Sequence, residues 1–118
     1  MEFTKKQVRT GVAVLGLTGS IRIGPNCQQI ELALDEMIQQ GNTCLVLDLA
    51  NVTYIDSAGI GTLVRGLTKY KKAGGILRLA GVKGMVGGVL KLTQIDRAFQ
   101  VFPTAEEAAQ DLPLTPKT

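Results

Sequence analysis

The chain has 118 residues, of which 45% are hydrophobic and 19% charged, and its formal net charge is +3. These values predict one folded domain that needs neither disulfides nor a metal, and they exclude a disordered chain. The absence of histidine and the presence of only two cysteines exclude histidine-dependent catalytic triads and a cysteine zinc cage.

The first half of the chain alternates predicted strands with one helix. Residues 5–9 suit an edge strand, and residues 12–17 suit a buried strand close enough to pair with it as a hairpin. Gly24 and Pro25 open a helix with apolar residues at helical spacing, which Gly41 closes. The apolar run at 44–47 predicts a central strand covered on both faces, and we assign residues 51–56 to a loop.

The second half continues the alternation. A helix with its apolar stripe at Ile60, Leu63, Val64 and Leu67 ends before Gly74-Gly75, and a strand follows at 76–80. A third helix spans the apolar residues from Met85 to Leu90, despite two internal glycines, and a short strand covers 99–102. A last helix begins after Thr104, where the spacing to Glu107 is that of a capping box.

This order predicts an α/β fold. Strands that alternate with helices favour right-handed crossovers and a largely parallel sheet, while the initial hairpin makes the sheet mixed. We expect the domain to occupy residues 1–111 and residues 112–118, with two prolines, to form a flexible tail. With neither a signal peptide nor a membrane-spanning apolar run, we expect a cytoplasmic protein that has no membrane partner.

Positive charge is concentrated in the middle of the chain. Residues 57–97 contain eight basic side chains and one acidic side chain. Such a segment is usually a solvated face, but it can also attract an acidic partner or a nucleotide. Tyr70 is the segment's one aromatic residue, which disfavours direct nucleic-acid binding because there is little for bases to stack on.

The segment Asp56-Ser57-Ala58-Gly59-Ile60-Gly61 joins the central strand region to the second helix. Ser57 stands at the expected N-cap, a position where serine often has only a structural role. A hydrolase nucleophile elbow is excluded because Ile55 replaces its first glycine. A dinucleotide fingerprint is excluded because Val64 replaces its last glycine. We therefore predict no enzyme activity, no cofactor and no metal at this junction.

The second helix has a face without large side chains. At about 100° per residue, Gly61, Arg65, Gly66 and Lys69 lie away from the apolar stripe and on the side of Ser57. Glycine in an exposed helix costs roughly 1 kcal/mol relative to alanine, so its presence needs a reason. We interpret this face as a surface that another protein's backbone approaches closely.

Residues 45–61 (LVLDLANVTYIDSAGIG) resemble the signature of STAS domains, and most closely that of the bacterial anti-sigma-factor antagonists. The resemblance continues through residues 73–75, the third-helix motif at 90–96 and the strand-helix ending at 99–109. It implies a single domain with a four- to five-stranded mixed sheet and about four helices packed mainly on one side.

The resemblance also implies a phosphorylation switch. In that family, the unphosphorylated antagonist binds an anti-sigma factor that is also a serine kinase, and a sigma factor is released. Phosphorylation of the acceptor serine, Ser57 here, ends the binding, and a PP2C-type phosphatase restores it. The partner-binding residues implied here are Asp56, Ala58, Gly59, Gly61, Thr62 and Arg65.

Two features differ from what the family suggests. The loop after the second strand often carries an acidic residue in the family, whereas this chain has Arg22, and the domain is unusually basic. The alternatives are a STAS subunit of a transport or stress-signalling assembly, or a nucleotide-binding module that uses the basic middle segment.

Overall fold

The computed structural model describes residues 1–113, which form five strands, four α-helices and a single 3₁₀ turn at Ile95–Arg97. The strands are β1 (Glu2–Arg9), β2 (Val12–Ile21), β3 (Cys44–Ile55), β4 (Ile76–Ala80) and β5 (Val101–Phe102). The helices are α1 (Pro25–Gln39), α2 (Ser57–Lys72), α3 (Gly84–Leu92) and α4 (Ala105–Ala109). No helix in this part of the chain has both the length and the apolar character that a membrane crossing requires.

The strands form one mixed sheet in the order β1-β2-β3-β4-β5. β1 and β2 form the predicted antiparallel hairpin, and each following neighbour pair is parallel. Leu15, Leu47 and Leu79 stand in register across the three central strands. The α/β mixed-sheet prediction is therefore confirmed.

The two faces of the sheet carry two separate clusters of buried side chains. The larger cluster lies between one sheet face and the buried sides of α1, α2 and α3. The smaller cluster lies on the opposite face and includes Ala105, Ala108 and Ala109 of α4. Three helices thus cover one face and one short helix covers the other, which confirms the arrangement that the family resemblance implies.

A buried arginine fastens α4 to the second face. Arg78 of β4 is 2% exposed, and its Nη1 lies 2.5 Å from Asp111 Oδ1 and 2.9 Å from the Ala108 carbonyl oxygen. Its guanidinium also lies 5.1 Å from the ring centre of Phe102. One residue of the basic middle segment is therefore an internal structural cation.

Several predicted boundaries are wrong: β1 begins at Glu2 rather than at residue 5, and β2 continues to Ile21 rather than ending at residue 17. Residues 51–55 are not a loop but the end of β3, because this stretch pairs with the second half of β2, from Asn51↔Thr18 to Ile55↔Ile21. A register shift near Asp48 allows this pairing, and Asp48 Oδ1 accepts a hydrogen bond of 3.0 Å from the N–H of Ala50 there. β5 begins at Val101, two residues later than predicted, because Phe99 packs into the larger cluster before the strand starts.

The C-terminal prediction falls at the limit of the described chain. Leu112, assigned above to the tail, is 3% exposed in the smaller cluster, and its carbonyl oxygen accepts a hydrogen bond from Arg9. Residues 114–118 lie outside the described residues, so the flexible tail remains a prediction.

Candidate functional site

The functional candidate Ser57 lies where β3 gives way to α2. It is the first residue of the helix and is exposed. The predicted N-cap role of Ser57 is wrong. Asp56 has the extended backbone of a cap residue, and its Oδ1 accepts a hydrogen bond of 2.9 Å from the N–H of Gly59. The cap is therefore provided by the preceding carboxylate, and the serine hydroxyl is not needed for it.

The same carboxylate ties a second segment to the junction. Asp56 Oδ2 accepts a hydrogen bond of 3.0 Å from the N–H of Ile23, in the loop between β2 and α1. These N–H groups, of Ile23 and then Gly59, hold the pKa of Asp56 below its usual value of 3.8, with a smaller contribution from the positive charge of Arg22. Asp56 is thus an ionised clamp that holds the loop beside Ser57.

This clamp predicts a pH dependence of stability. Because the folded-state pKa of Asp56 lies below 3.8, its contribution is complete above about pH 5 and is lost as the pH falls through the folded-state value. Asp56→Asn keeps one acceptor for Gly59 but loses the charge and the second acceptor for Ile23. We expect the variant to be less stable at pH 7 and to lose less stability on acidification.

Urea unfolding followed by circular dichroism between pH 2 and 7 measures this effect. Asp111, whose pKa is also lowered through its hydrogen bond with Arg78, supplies a second acid-sensitive contact, so some pH dependence remains in the variant. If the free energy of unfolding changes with pH by the same amount in the wild type and in Asp56→Asn, the ionised Asp56 does not stabilise the fold in this way.

Two large exposed side chains, Ile23 and Tyr54, lie in the two segments that Asp56 connects. Ile23 is 77% exposed, and Tyr54, two residues before Asp56, is 38% exposed. The guanidinium of Arg22 lies 5.0 Å from the ring centre of Tyr54. We call these three residues, together with Asp56 and Ser57, the junction surface. An exposed isoleucine and an exposed tyrosine suit protein docking, because such residues contribute large contact areas.

Sequence analysis missed Ile23 and Tyr54 as surface residues. An apolar residue directly before a Gly-Pro helix start was a usable signal for Ile23. Tyr54 was missed because residues 51–56 were assigned to a loop. In the structure Tyr54 is the next-to-last residue of β3, shortly before α2 begins.

The predicted partner-binding residues divide into two groups. Asp56, Ala58 and Gly61 are half-buried and Arg65 is exposed, so each presents some surface. Gly59 and Thr62 are buried, and Thr62 Oγ1 donates a hydrogen bond of 3.0 Å to the Ala58 carbonyl oxygen. The assignment of these two residues to a docking surface is corrected: they pack inside the domain.

The interpretation of Gly66 is also wrong. Gly66 is buried, and a Cβ placed on it would lie 2.7 Å from Leu34 Cδ1 of α1. The buried face of α2 packs on α1 as well as on the sheet, so it extends beyond the apolar stripe onto small residues. Gly61 differs, since the one side chain in the described part of the molecule that a Cβ there would meet is Arg65, whose Nη1 would lie 3.2 Å away.

Cations of α2 are paired with α1 across this contact. Arg65 Nη2 lies 2.8 Å from Glu31 Oε1, and Lys69 forms an ion pair with Asp35. Both pairs are largely solvent-exposed, so each adds little to stability. They do reduce the free positive charge that the basic middle segment offers to an acidic partner.

Comparison with known proteins gives consistent matches. The STAS domain family model matches residues 4–108. A Thermotoga maritima protein, named as a candidate anti-sigma factor antagonist, is 32% identical over 78 residues, which are 66% of this chain and 69% of that protein. A crystal structure of a Thermotoga maritima protein of the same description superposes with a TM-score of 0.83 at 28% identity, covering 93% of both chains.

Two further structures show how widely the fold is used. A sulfate transporter family protein from Wolinella succinogenes has a TM-score of 0.75 at 26% identity, covering 87% of this chain and 85% of that one. The Bacillus cell fate determinant SpoIIAA, in its phosphorylated form, has a TM-score of 0.72 at 20% identity, covering 94% and 99%. The likeness to SpoIIAA concerns the fold alone.

Proposed function

Because this chain belongs to the STAS domain family, we propose that it is an anti-sigma-factor antagonist whose binding is switched by phosphorylation of Ser57. The unphosphorylated protein binds an anti-sigma factor that is also a serine kinase, and a sigma factor is released. The role is regulatory rather than enzymatic, and we place it in the cytoplasm. A PP2C-type phosphatase returns the protein to its binding state.

One observation carries the proposal: an exposed serine, not used as the helix cap, stands on the first turn of α2, directly after the Asp56 carboxylate that holds the loop of the exposed Ile23. Within residues 1–113, the Ser57 hydroxyl has no hydrogen-bond partner, so a kinase can approach it without breaking an internal contact. A docking partner centred on Ile23 and Tyr54 covers the same serine.

The chemistry of the switch follows from this position. The kinase transfers the γ-phosphoryl group of ATP to Ser57 Oγ, which forms a P–O bond and releases ADP and the hydroxyl proton. The phosphate adds a charge of about −1.5 to −2 at pH 7. The start of a 16-residue helix favours that charge, so the fold tolerates it. A partner that fits the unmodified surface instead meets a dianion next to the Asp56 carboxylate.

The alternative roles receive different support. The likeness to a sulfate transporter family protein favours a STAS subunit of a transport assembly as the second candidate. The nucleotide-binding module loses support, because Arg78 is buried and Arg65 and Lys69 are paired with α1.

Ser57→Ala separates the switch from the fold. Because Asp56 provides the cap, we expect the variant to keep the stability of the wild type within about 0.5 kcal/mol. It should bind the anti-sigma factor and take up no phosphate from it. Intact-mass measurement after incubation with the kinase and ATP, with calorimetric titration of the same pair, tests both expectations.

Thr53→Ala is the matched control, since Thr53 is an exposed hydroxyl residue near the end of β3. It should gain one phosphoryl group, as the wild type does. Uptake of phosphate by Ser57→Ala, or no uptake by the wild type from any serine kinase that binds it, refutes the proposed switch.

A further inference from the structure

The loop between β2 and α1 brings a cation to the junction surface. Arg22 directly precedes Ile23, whose N–H is hydrogen-bonded to Asp56, the neighbour of Ser57. The positive charge of Arg22 is also the smallest of the causes that lower the pKa of Asp56. Arg22 is therefore a cation on the loop segment that Asp56, the neighbour of Ser57, holds in place.

The contacts that hold Arg22 in the unmodified protein are weak. Its Nη2 donates a hydrogen bond of 3.2 Å to Ser20 Oγ, and its guanidinium stacks over Tyr54 at 5.0 Å. Both contacts are at the surface, where water competes with them. A phosphate dianion offers the same guanidinium two short, charge-assisted hydrogen bonds, which are the stronger interaction.

The arginine on α2 is less available. Arg65 is two turns along α2 from Ser57 and is already bonded to Glu31 of α1, through Nε at 2.9 Å and Nη2 at 2.8 Å. To reach a phosphate on Ser57 it would have to give up a carboxylate. Arg22 gives up only a neutral hydroxyl and an aromatic face.

We propose that Arg22 is the internal counter-ion of phosphorylated Ser57, and that its guanidinium leaves Tyr54 and Ser20 to bind the phosphate. This inference rests on the proposed phosphorylation of Ser57 and adds how the surface responds to it. Phosphorylation then does more than add charge. It uncovers the Tyr54 ring and moves Arg22 over the serine, so that the partner loses the surface shape that it binds.

The test uses phosphoserine inserted at position 57 during translation of the whole chain, so no kinase is needed. Phosphorus-31 NMR at low ionic strength follows the second ionisation of the phosphate, whose ordinary pKa is about 6. A paired guanidinium favours the dianion, so Arg22→Gln should raise this pKa by about 0.5 or more. Lys72→Gln removes the same charge about 22 Å away along α2 and should leave the pKa unchanged.

The tyrosine rings provide an independent measurement. The chain contains two tyrosines, of which Tyr70 is fully buried and serves as an internal reference. With carbon-13-labelled tyrosine, the Tyr54 ring signals should shift on phosphorylation in the wild type and not in Arg22→Gln. Circular dichroism checks that the variant is folded, as expected for a residue that is exposed.

If the phosphate pKa is the same in the wild type and in Arg22→Gln, the proposal is overturned. It is also overturned if Lys72→Gln raises the phosphate pKa as much as Arg22→Gln does, because the effect is then one of net charge alone. Either result leaves the switch at Ser57 standing, because the phosphoserine was inserted without a kinase. Conversely, a kinase that does not modify Ser57 refutes the switch while the NMR result is unaffected.

Discussion

Leu47→Ala should destabilise the domain by about 2–5 kcal/mol, a large part of the roughly 5–15 kcal/mol typical of a whole domain. Leu47 lies on the central strand β3, is 0% exposed and stands in register between Leu15 and Leu79. Removal of its side chain loses the free energy of burial and leaves a cavity between the sheet and its helices. The surrounding strands cannot close this cavity, because both of their edges are hydrogen-bonded to neighbours.

Urea unfolding of the wild type and the variant gives the difference in the free energy of unfolding. Leu92→Ala is the matched control, since Leu92 at the end of α3 is 86% exposed. That change should cost no more than about 0.5 kcal/mol. If the two substitutions lower the free energy of unfolding by the same amount, Leu47 is not part of the hydrophobic core.

Alanine at Gly59 and at Gly61 should have opposite effects on stability. A Cβ on Gly59 would overlap the carbonyl oxygen of Ile21 and lie 2.8 Å from Ile55 Cγ1. The carbonyl belongs to β2 and cannot rotate away, so we expect a loss of about 2–3 kcal/mol despite the better helix propensity of alanine. Among residues 1–113, a Cβ on Gly61 would meet the flexible end of Arg65 and no other side chain, so alanine should stabilise the domain by up to about 1 kcal/mol.

The two variants control for each other, because the same methyl group is added two residues apart on one helix. Differential scanning calorimetry of the free domains measures the contrast. If Gly61→Ala is the less stable of the two, the packing described for this end of α2 is wrong.

Gly61→Ala has a further consequence under the proposed function. The half-buried Gly61 presents a surface beside the junction, and its new methyl should obstruct an approaching anti-sigma factor. Stability should therefore rise while affinity falls, as happens where function rather than folding selects a residue. Calorimetric titration of Gly61→Ala against the anti-sigma factor measures the affinity, and undiminished binding places Gly61 outside the contact.

Local signals in the sequence determined the order of strands and helices. Apolar alternation and runs identify β1 to β4, and the glycines at 41 and 74 end the helices that precede β3 and β4. The Thr104 cap was equally readable, since Thr104 Oγ1 accepts the hydrogen bond from the Glu107 N–H that its spacing predicts. These features depend on residues a few positions apart, so the chain by itself specifies them.

The position of the candidate serine was also readable from the sequence, through the motif around residues 56–61. Its local role was not. Whether Asp56 or Ser57 caps α2 depends on where β3 ends, and that is set by pairing with β2, more than 30 residues earlier in the chain. The end of the strand gives Asp56 its extended backbone and leaves the serine hydroxyl exposed.

The surfaces of α2 and of the junction were decided only by the tertiary structure. Helical periodicity locates an apolar stripe, but Gly66 is buried because Leu34 of α1 packs on it, and nothing within α2 encodes that contact. The loop that carries Ile23 lies next to Asp56 because the parallel pairing of β2 and β3 brings the carboxyl ends of both strands to the same edge of the sheet. The junction surface is made from two segments, residues 22–23 and 54–57, and it exists only after β2 and β3 pair, since their pairing sets the distance between these segments.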